Sequence, residues 1–391
     1  MHLKRLLFIT ERFPPDLGGL ARSAGRLVST LNQLNVAVDI VTWSRYLQAG
    51  EITREQGEGG AIVHRIGLYR QWDMTLPHTL NVLDWLHQSH AYDAVWGHYL
   101  FPAGFVATWF AQLNGLASLI SARGNDIDVA LFPPGDFARL QWTIAHATLI
   151  TAVSQDMARK VQILSQRDDV IVLKNVVNTH QFSPALDQKN QKSASSMLRS
   201  SLGIAENEII LGFSGELREK KGQQFLLNAL TTVRSRHPAC LLIIGEVRPS
   251  TQAILQNFAI AYPDDAQRVI ITGHLAEPAA VANHLWLCDL YLQPSLWEGM
   301  PNALLEAMAC GCCCIASDAG GIPEVIEHGK TGFLLPRAQL HRLGEAIMEL
   351  LDLPVSERQA IGRAAQQYIQ AEHSLGQEKQ QLEEIIRSLK G

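Results

Sequence analysis

Short apolar runs, each closed by a glycine, a proline or a polar residue, recur along the chain. Between them lie stretches whose apolar positions follow a helical period. Leu6-Leu-Phe-Ile-Thr10 reads as a buried parallel strand, Leu20 to Leu34 as an amphipathic helix, and Val36 to Thr42 as the next strand. This is a βαβ unit with a glycine pair, Gly18-Gly19, at its strand-to-helix turn. Such a pair is most often only a turn, but it also lets backbone come close to a phosphate. The cycle continues. A strand from Asp93 ends at His98, ahead of a helix starting near Pro102, and another strand precedes Ser121-Ala-Arg123-Gly-Asn-Asp126. Thr148 to Ser154 is a strand closed by a serine N-cap, and Val170 to Asn178 leads out of this half. Residues 44–90, with Gly57-Glu-Gly-Gly60, Tyr69, Trp72 and Trp85, lack a clear period and are assigned to packing or the lining of a pocket.

Pro184 to Ser201 is polar and reads as a linker or a loose helix. A second set of strands follows at Glu208–Ser214, Ala239–Gly245, Val269–Gly273, Asp289–Pro294 and Cys312–Ser317. Gly329-Lys-Thr-Gly332 is a turn before one more strand, and helical periodicity dominates from Leu340 through Leu389. The pattern predicts two α/β domains, and the 391-residue length agrees, being too long for one ordinary core.

Composition narrows the class without naming it. The chain is 47% hydrophobic and 18% charged, as soluble globular proteins are. A net charge of −5 gives nucleic-acid binding no electrostatic support, and no nucleic-acid partner is expected. The apolar runs stop well short of the ~20 residues that span a bilayer. The first ten residues resemble a signal peptide only superficially, because Glu11-Arg12 follow without a small-residue cleavage site. A cytoplasmic protein is expected, with attachment to the inner membrane face compatible. Four of the six cysteines fall in Cys310-Gly-Cys312-Cys313-Cys314, without a second pair at metal-site spacing, and are read as buried filler.

The chemistry concentrates in Pro294–Glu324. Glu298 and Glu306 are separated by a Gly299-Met300-Pro301 loop, and Asn302-Ala303-Leu304-Leu-Glu306 opens strong helix-forming sequence. Pro301 stands where a helix's first turn tolerates proline. Glu298 is therefore predicted on the loop and Glu306 in the helix, with helix-start N–H groups between them. That arrangement suits an anion beside hydroxyls, since the amides and dipole attract phosphate and a carboxylate accepts from a diol. Taken alone, the spacing more often marks a capped, amphipathic surface helix with two solvated acids.

The surrounding residues decide for a ligand. Pro294-Ser-x-x-Glu298-Gly-x-Pro301, Glu306-Ala-Met-Ala-x-Gly311, Gly320-Gly321, Pro323-Glu324 and Gly329-x-Thr-Gly332 together resemble the retaining nucleotide-sugar glycosyltransferases of family 4. The resemblance covers most of the chain. It is most specific from 291 to 335, looser at 210–222 and near 98, and faint at 44–90. It implies the GT-B fold: two Rossmann-like α/β/α domains with parallel sheets facing across a cleft. Residues 1–180 would form the acceptor-side domain, 181–372 the donor-binding domain, and a helix at about 373–391 would pack back on the first.

The resemblance also implies roles. Pro14-Pro15-x-x-Gly18-Gly19 matches an N-terminal loop that faces the donor's phosphate and sugar, and His98 a histidine at the reaction centre. Many members carry a second histidine two residues earlier, where this chain has Trp96. Arg123-Gly-Asn-Asp126 is similar to a further motif and supplies acceptor-side candidates. Asp126 and Asp128 also form the Asp-x-Asp that holds a metal in a different glycosyltransferase fold. This family usually works without metal, and no cofactor is expected. Gly215-Glu-Leu-Arg-Glu-Lys-Lys221-Gly222 resembles the turn whose basic residues grip the diphosphate. Lys221 is in place, Glu216 replaces the expected arginine, and Arg218 is a candidate substitute. Residues near Leu275 are candidates for the base, Glu306 for the ribose diol, and Glu298 for the sugar hydroxyls, with Gly299 to Leu304 on the donor.

The expected activity is retaining transfer of a sugar from a nucleotide diphosphate sugar to a glycan, lipid or small-molecule acceptor, in cell-surface polysaccharide or glycoconjugate synthesis. Two other readings remain open on sequence. One is a relative of the same fold, such as a nucleotide-sugar epimerase or a phosphorylase. The other is a catalytically silent sugar- or nucleotide-binding protein.

Overall fold

The computed structural model describes residues 3–57, 60–124, 126–127, 134–184 and 188–389. Its contacts divide the chain into two compact units, Met1–Asn175 with Gly376–Gly391, and Val176–Leu375. Among the described residues no helix is long and apolar enough to cross a membrane.

The first unit is built on an eight-stranded sheet. In chain order its strands are β1 (Arg5–Thr10), β2 (Ala37–Ser44), β3 (Ile52–Gln56), β4 (Ile62–Gly67), β5 (Ala94–His98), β6 (Ala117–Ala122), β7 (Leu149–Ala152) and β8 (Val170–Val172). Their spatial order is β3-β4-β2-β1-β5-β6-β7-β8, and all pairs are parallel except β3 with β4. The unbroken apolar run of β1 is explained by burial on both faces. Leu6 and Phe8 belong to one core cluster, while Leu7 and Ile9 belong to another on the opposite side. Helix α1 (Gly19–Gln33) supplies Leu27 and Leu31 to the first cluster, joined there by Leu382 and Ile385 of the helix Leu375–Ser388. That helix is also tied by Glu378, which accepts from Arg26 Nε at 3.0 Å and from Thr30 Oγ1 at 3.3 Å. Helices α2 (Trp72–His90) and α3 (Phe105–Asn114) cover the other face, and α4 (Pro134–His146) and α5 (Gln155–Ser165) continue it beside β6 and β7. Ser154 caps α5 by accepting from the Met157 amide.

The irregularity expected for 44–90 is corrected. This stretch holds two strands and a 19-residue helix. β3 is an edge strand, largely exposed and polar, so it carries no alternation to read. Helix α2 contains Pro77 and buries threonines on its core face, Thr79 accepting from Trp43 Nε1 at 2.9 Å. Trp85 is 55% exposed and does not serve core packing.

The second unit carries a six-stranded, all-parallel sheet. It comprises β9 (Ile209–Ser214), β10 (Ala239–Ile244), β11 (Val269–Ile271), β12 (Leu290–Gln293), β13 (Cys314–Ser317) and β14 (Phe333–Leu335), ordered β11-β10-β9-β12-β13-β14. Its core packs Leu211, Phe213, Leu241 and Ile243 against helices Gln223–Arg234 and Leu343–Leu351. The polar stretch after Pro184 forms a helix at Gln188–Ser201. Cys310, Cys312, Cys313 and Cys314 are free thiols, all buried. Burial pushes Cys312 up to about 12 and Cys313 to about 11, so neither is a thiolate near neutrality.

Candidate active site

In the second unit the sequence-predicted residues gather where β9, β10 and β12 end, the edge at which open α/β sheets bind ligands. The turn after β9 closes in a single 3₁₀ turn, Glu219–Lys221, and Gly222 follows at φ +74°. A Cβ at Gly222 would stand 2.0 Å from the Pro294 carbonyl oxygen, so only glycine lets this turn lie against the exit of β12. The Leu296 amide then donates to the Lys220 carbonyl at 2.8 Å. That docking delivers Lys221 to Glu298, across 77 residues of sequence.

Glu298 is 6% exposed and well supplied with partners. Its Oε1 accepts from Lys221 Nζ, from Ser295 Oγ at 2.8 Å and from Gln293 Nε2 at 3.5 Å. Lys220 Nζ lies 3.9 Å from Oε2. Behind Ser295 the bonds continue inward, Gln293 Nε2 donating to Ser295 Oγ at 2.8 Å and Tyr291 Oη to Gln293 Oε1 at 2.9 Å. Burial by itself would raise the Glu298 carboxyl, but the two ammonium groups and the hydrogen bonds outweigh it and hold the acid below its ordinary range. The carboxylate is therefore ionised at neutral pH.

The glycine pair after β13 braces the same loop. The Gly321 amide donates to the Gly299 carbonyl at 2.8 Å, and Gly320, at φ +53°, would carry a Cβ 1.8 Å from the Glu298 carbonyl oxygen. Beyond Met300 and Pro301 the helix Asn302–Ala309 begins without a side-chain cap. Ala303 and Leu304 lie in its first turn, and both Leu304 and Leu305 donate to the Pro301 carbonyl. Asn302 Oδ1 is buried and has no hydrogen-bond partner among the described residues. Glu306, one turn on, is also only 6% exposed, which removes the solvated-acid reading of both glutamates. Leu275, half-buried, sits on the loop after the edge strand β11.

Glu216, the charge reversal within the basic turn, is neutralised from a place the sequence reading did not consider. Its carboxylate accepts from Arg248 Nε at 3.1 Å and Nη2 at 3.0 Å, while Arg218 Nε stands 3.7 Å away. Arg248 belongs to the turn after β10, brought alongside by the Leu217–Val247 bridge. A basic residue three positions past a strand-ending glycine, opposite an unexpected acid, is the one sequence signal that pointed to it.

In the first unit the corresponding edge holds the other predicted residues. Thr10 and His98 are register partners at the ends of β1 and β5. Thr10 Oγ1 donates to the Arg12 carbonyl at 3.1 Å and lies 3.2 Å from His98 Nδ1. A hydroxyl that gives its proton to that carbonyl accepts from Nδ1–H, the tautomer that keeps the lone pair on Nε2. That atom is buried without a hydrogen-bond partner among the described residues. Burial, then Arg123 and Arg26, hold the imidazole well below its usual pKa, so it is neutral. Trp96, in place of the family's additional histidine, is core and donates to Ser121 Oγ at 2.8 Å. Gly18 immediately precedes α1, which starts at Gly19, and its carbonyl accepts from the Arg22 amide at 3.1 Å.

Arg123 and Asp126 are both engaged by the protein. Arg123 Nη2 donates to Ser23 Oγ and, at 2.7 Å, to Asn175 Oδ1. Burial, then Arg26, lowers its pKa to about 9. Asp126 accepts from the Gly124 amide at 2.9 Å, Arg123 at 3.0 Å and Leu100 at 3.3 Å, tying the loop after β6 to the one after β5. Asp128 lies outside the described residues. Among those described, no cluster of three or more His, Cys, Asp or Glu is placed to hold a metal. Sequence reading also passed over Glu11, whose carboxyl rises to about 7 through burial and the neighbouring Asp126.

Two family models match the chain. One, described as glycosyl transferases group 1, covers residues 208–353, and the other, a glycosyl transferase 4-like domain, covers 18–175. A GDP-mannose-dependent monoacylated alpha-(1-6)-phosphatidylinositol monomannoside mannosyltransferase of Corynebacterium glutamicum is 26% identical over 98% of both chains. N-acetyl-alpha-D-glucosaminyl L-malate synthase of Bacillus anthracis is 28% identical over 68% of this chain and 66% of its own. Among solved structures, Anabaena Alr3699/HepE in complex with UDP and glucose superposes with a TM-score of 0.79 at 20% identity, covering 99% of this chain and 100% of that one. The sequence relatives are named as a mannosyltransferase and a glucosaminyl-malate synthase, and the same GT-B architecture recurs in the structural neighbours. With both units matched and the residues of Pro294–Glu324 assembled around Glu298, the chain belongs to the family 4 glycosyltransferases, enzymes that draw on nucleotide-sugar donors.

Proposed function

We propose that this glycosyltransferase moves its sugar with retention of anomeric configuration onto a glycan or lipid-linked acceptor, without a metal, at the cytoplasmic side of the cell. The observation that carries the reading is the buried Lys221–Glu298 pair, with Lys220 beside it, close to the uncapped start of Asn302–Ala309. As the sugar–phosphate bond breaks, negative charge grows on the leaving diphosphate. Lysine ammonium groups and helix-start amides stabilise such charge without help from a cation. Glu298, ionised and fixed by Ser295, accepts from hydroxyls of the transferred sugar, and Glu306 accepts from the ribose diol. The Gly18-Gly19 turn adds backbone amides for phosphate, and residues near Leu275 contact the base.

Retention fits a front-side displacement. The acceptor oxygen bonds to the anomeric carbon on the face the diphosphate leaves, and the acceptor's proton passes to a departing phosphate oxygen. His98, neutral and with a free lone pair on Nε2, accepts a hydrogen bond from a sugar hydroxyl. Relatives that act on phosphatidylinositol mannosides favour a lipid-linked acceptor, and such an acceptor favours work at the inner membrane face.

The test is a panel of UDP-, GDP- and ADP-sugars with glycan and lipid acceptors, read as nucleoside diphosphate released and as product anomer. Release that depends on an acceptor, with the donor's anomeric configuration kept, is expected. An inverted product overturns retention. A loss greater than about tenfold with EDTA, restored by Mn²⁺ or Mg²⁺, overturns metal independence.

A further inference from the structure

The Glu216–Arg248 pair calls for an explanation that stability does not supply. Both side chains are more than 40% exposed, and ion pairs so open to solvent contribute little to folding. Yet the geometry is a two-pronged guanidinium–carboxylate contact, 3.1 and 3.0 Å, of the kind used to recognise carboxylate and phosphate. Arg218 approaches the same carboxylate at 3.7 Å, its Nε buried and making no hydrogen bond among the described residues. A single carboxylate thus sits between two guanidinium groups.

Position strengthens the point. In the order β10-β9-β12, Arg248 follows β10, Glu216 and Arg218 follow β9, and Glu298 follows β12. The groups that pair along this edge are Arg248, Arg218, Lys220 and Lys221 with Glu216 and Glu298, four cations to two anions. Glu219 and Glu246 are exposed on the same turns and enter no ion pair among the described residues. With those two acids counted the turns balance in charge, and the positive excess is confined to the groups that pair.

We infer that Arg248 and Arg218 form a clamp for the pyrophosphate of a nucleoside diphosphate, and that Glu216 is an internal anion occupying the clamp until that ligand displaces it. The inference rests on the donor-binding reading of Val176–Leu375. It adds that the acid at 216 competes with the substrate, and that the cation missing from the basic turn arrives from the next strand. Phosphate oxygens present the same paired acceptors that the carboxylate presents now, with more charge.

Isothermal titration of UDP and GDP into the full chain tests this, with the thermal transition of each variant confirming folding. Arg248→Ala should weaken the nucleoside diphosphate that binds by about 10- to 100-fold, the range for losing bonds to a charged partner. Nucleoside binding should be unchanged. Glu216→Gln should tighten the same nucleotide several-fold, and should have no such effect in an Arg248→Ala background. If Arg248→Ala binds like the parent, the clamp is wrong. If Glu216→Gln weakens binding as much as Arg248→Ala does, the pair merely shapes the turn and the displacement is refuted. Should the unmodified protein bind neither nucleotide, the donor-binding reading itself falls and takes the clamp with it.

Discussion

Removing Lys221 should expose how far Glu298 depends on it. Lys221→Ala leaves a 6%-exposed carboxylate with Ser295, Gln293 and a lysine 3.9 Å away as its remaining partners. Deleting one member of a buried ion pair typically costs about 3–5 kcal/mol, because the other charge stays desolvated. Lys220 and Ser295 keep part of the compensation, so about 2–4 kcal/mol is expected here. The cost is pH-dependent. In the unmodified protein Glu298 titrates below its unfolded value, so its stabilisation is present above that value and fades as pH falls through the folded one. In Lys221→Ala burial dominates and the acid titrates above its unfolded value. The gap between variant and parent should therefore narrow as pH falls towards 4 and widen as it rises towards 8. Adding Glu298→Gln removes the stranded charge and should recover the stability to within about 1 kcal/mol at pH 8. Urea unfolding at both pH values, with hydrogen exchange at Leu290–Gln293 to report on this unit, makes the measurement. A Lys221→Ala protein as stable as the parent at pH 8 would refute the argument, as would a double variant no better than the single one.

Glu11 offers a second pH test. Its carboxyl is raised from 4.5 to about 7, so folding loses stability as pH climbs through that window. Glu11→Gln should gain about 2–3 kcal/mol at pH 8 and nothing at pH 4, and equal denaturation midpoints at pH 8 would refute the shift. His98→Ala should lower kcat by about 100-fold or more, with nucleoside diphosphate affinity nearly unchanged by titration calorimetry. Nitrogen NMR of His98 should show one neutral tautomer, protonated at Nδ1, from pH 5.5 to 8, and a titration in that range would contradict it. Glu306→Ala should weaken donor binding about 10- to 100-fold and move KM more than kcat, whereas Glu298→Ala should cut kcat and still bind the nucleoside diphosphate. The reverse pattern would mean the two glutamates exchange roles.

The parallel strands were legible because both faces of each sheet are covered, which turns a strand such as β1 into a continuous apolar run. The loop and helix positions of Glu298 and Glu306 followed from Pro301 and the alanine- and leucine-rich turns after it. What escaped the sequence was chiefly contact at long range or polarity at an edge. β3 is polar because it is exposed, and α2 hides behind Pro77 and core threonines. Nothing local to Lys221 announces Glu298 as its partner, and Arg248 meets Glu216 only because β9 and β10 are neighbours. Asp126 looked like a ligand group in sequence and spends its oxygens on three amides, a use that depends on where the loop after β5 passes.

The chain leaves the first unit after Asn175 and returns to it at Gly376. During synthesis this fixes an order of completion. The second unit has all its strands once Leu335 has been made, and all its helices soon after. The first unit, though begun earlier, still lacks Leu382 and Ile385 against Leu6 and Phe8, and Glu378 against Arg26. Until residues 376–389 emerge, one face of its sheet is covered only in part, by α1, and Arg26 lacks Glu378. The half of the protein translated first is thus the half that matures last, and a nascent chain exposed only as far as residue 375 would hold a finished second unit and an incomplete first one.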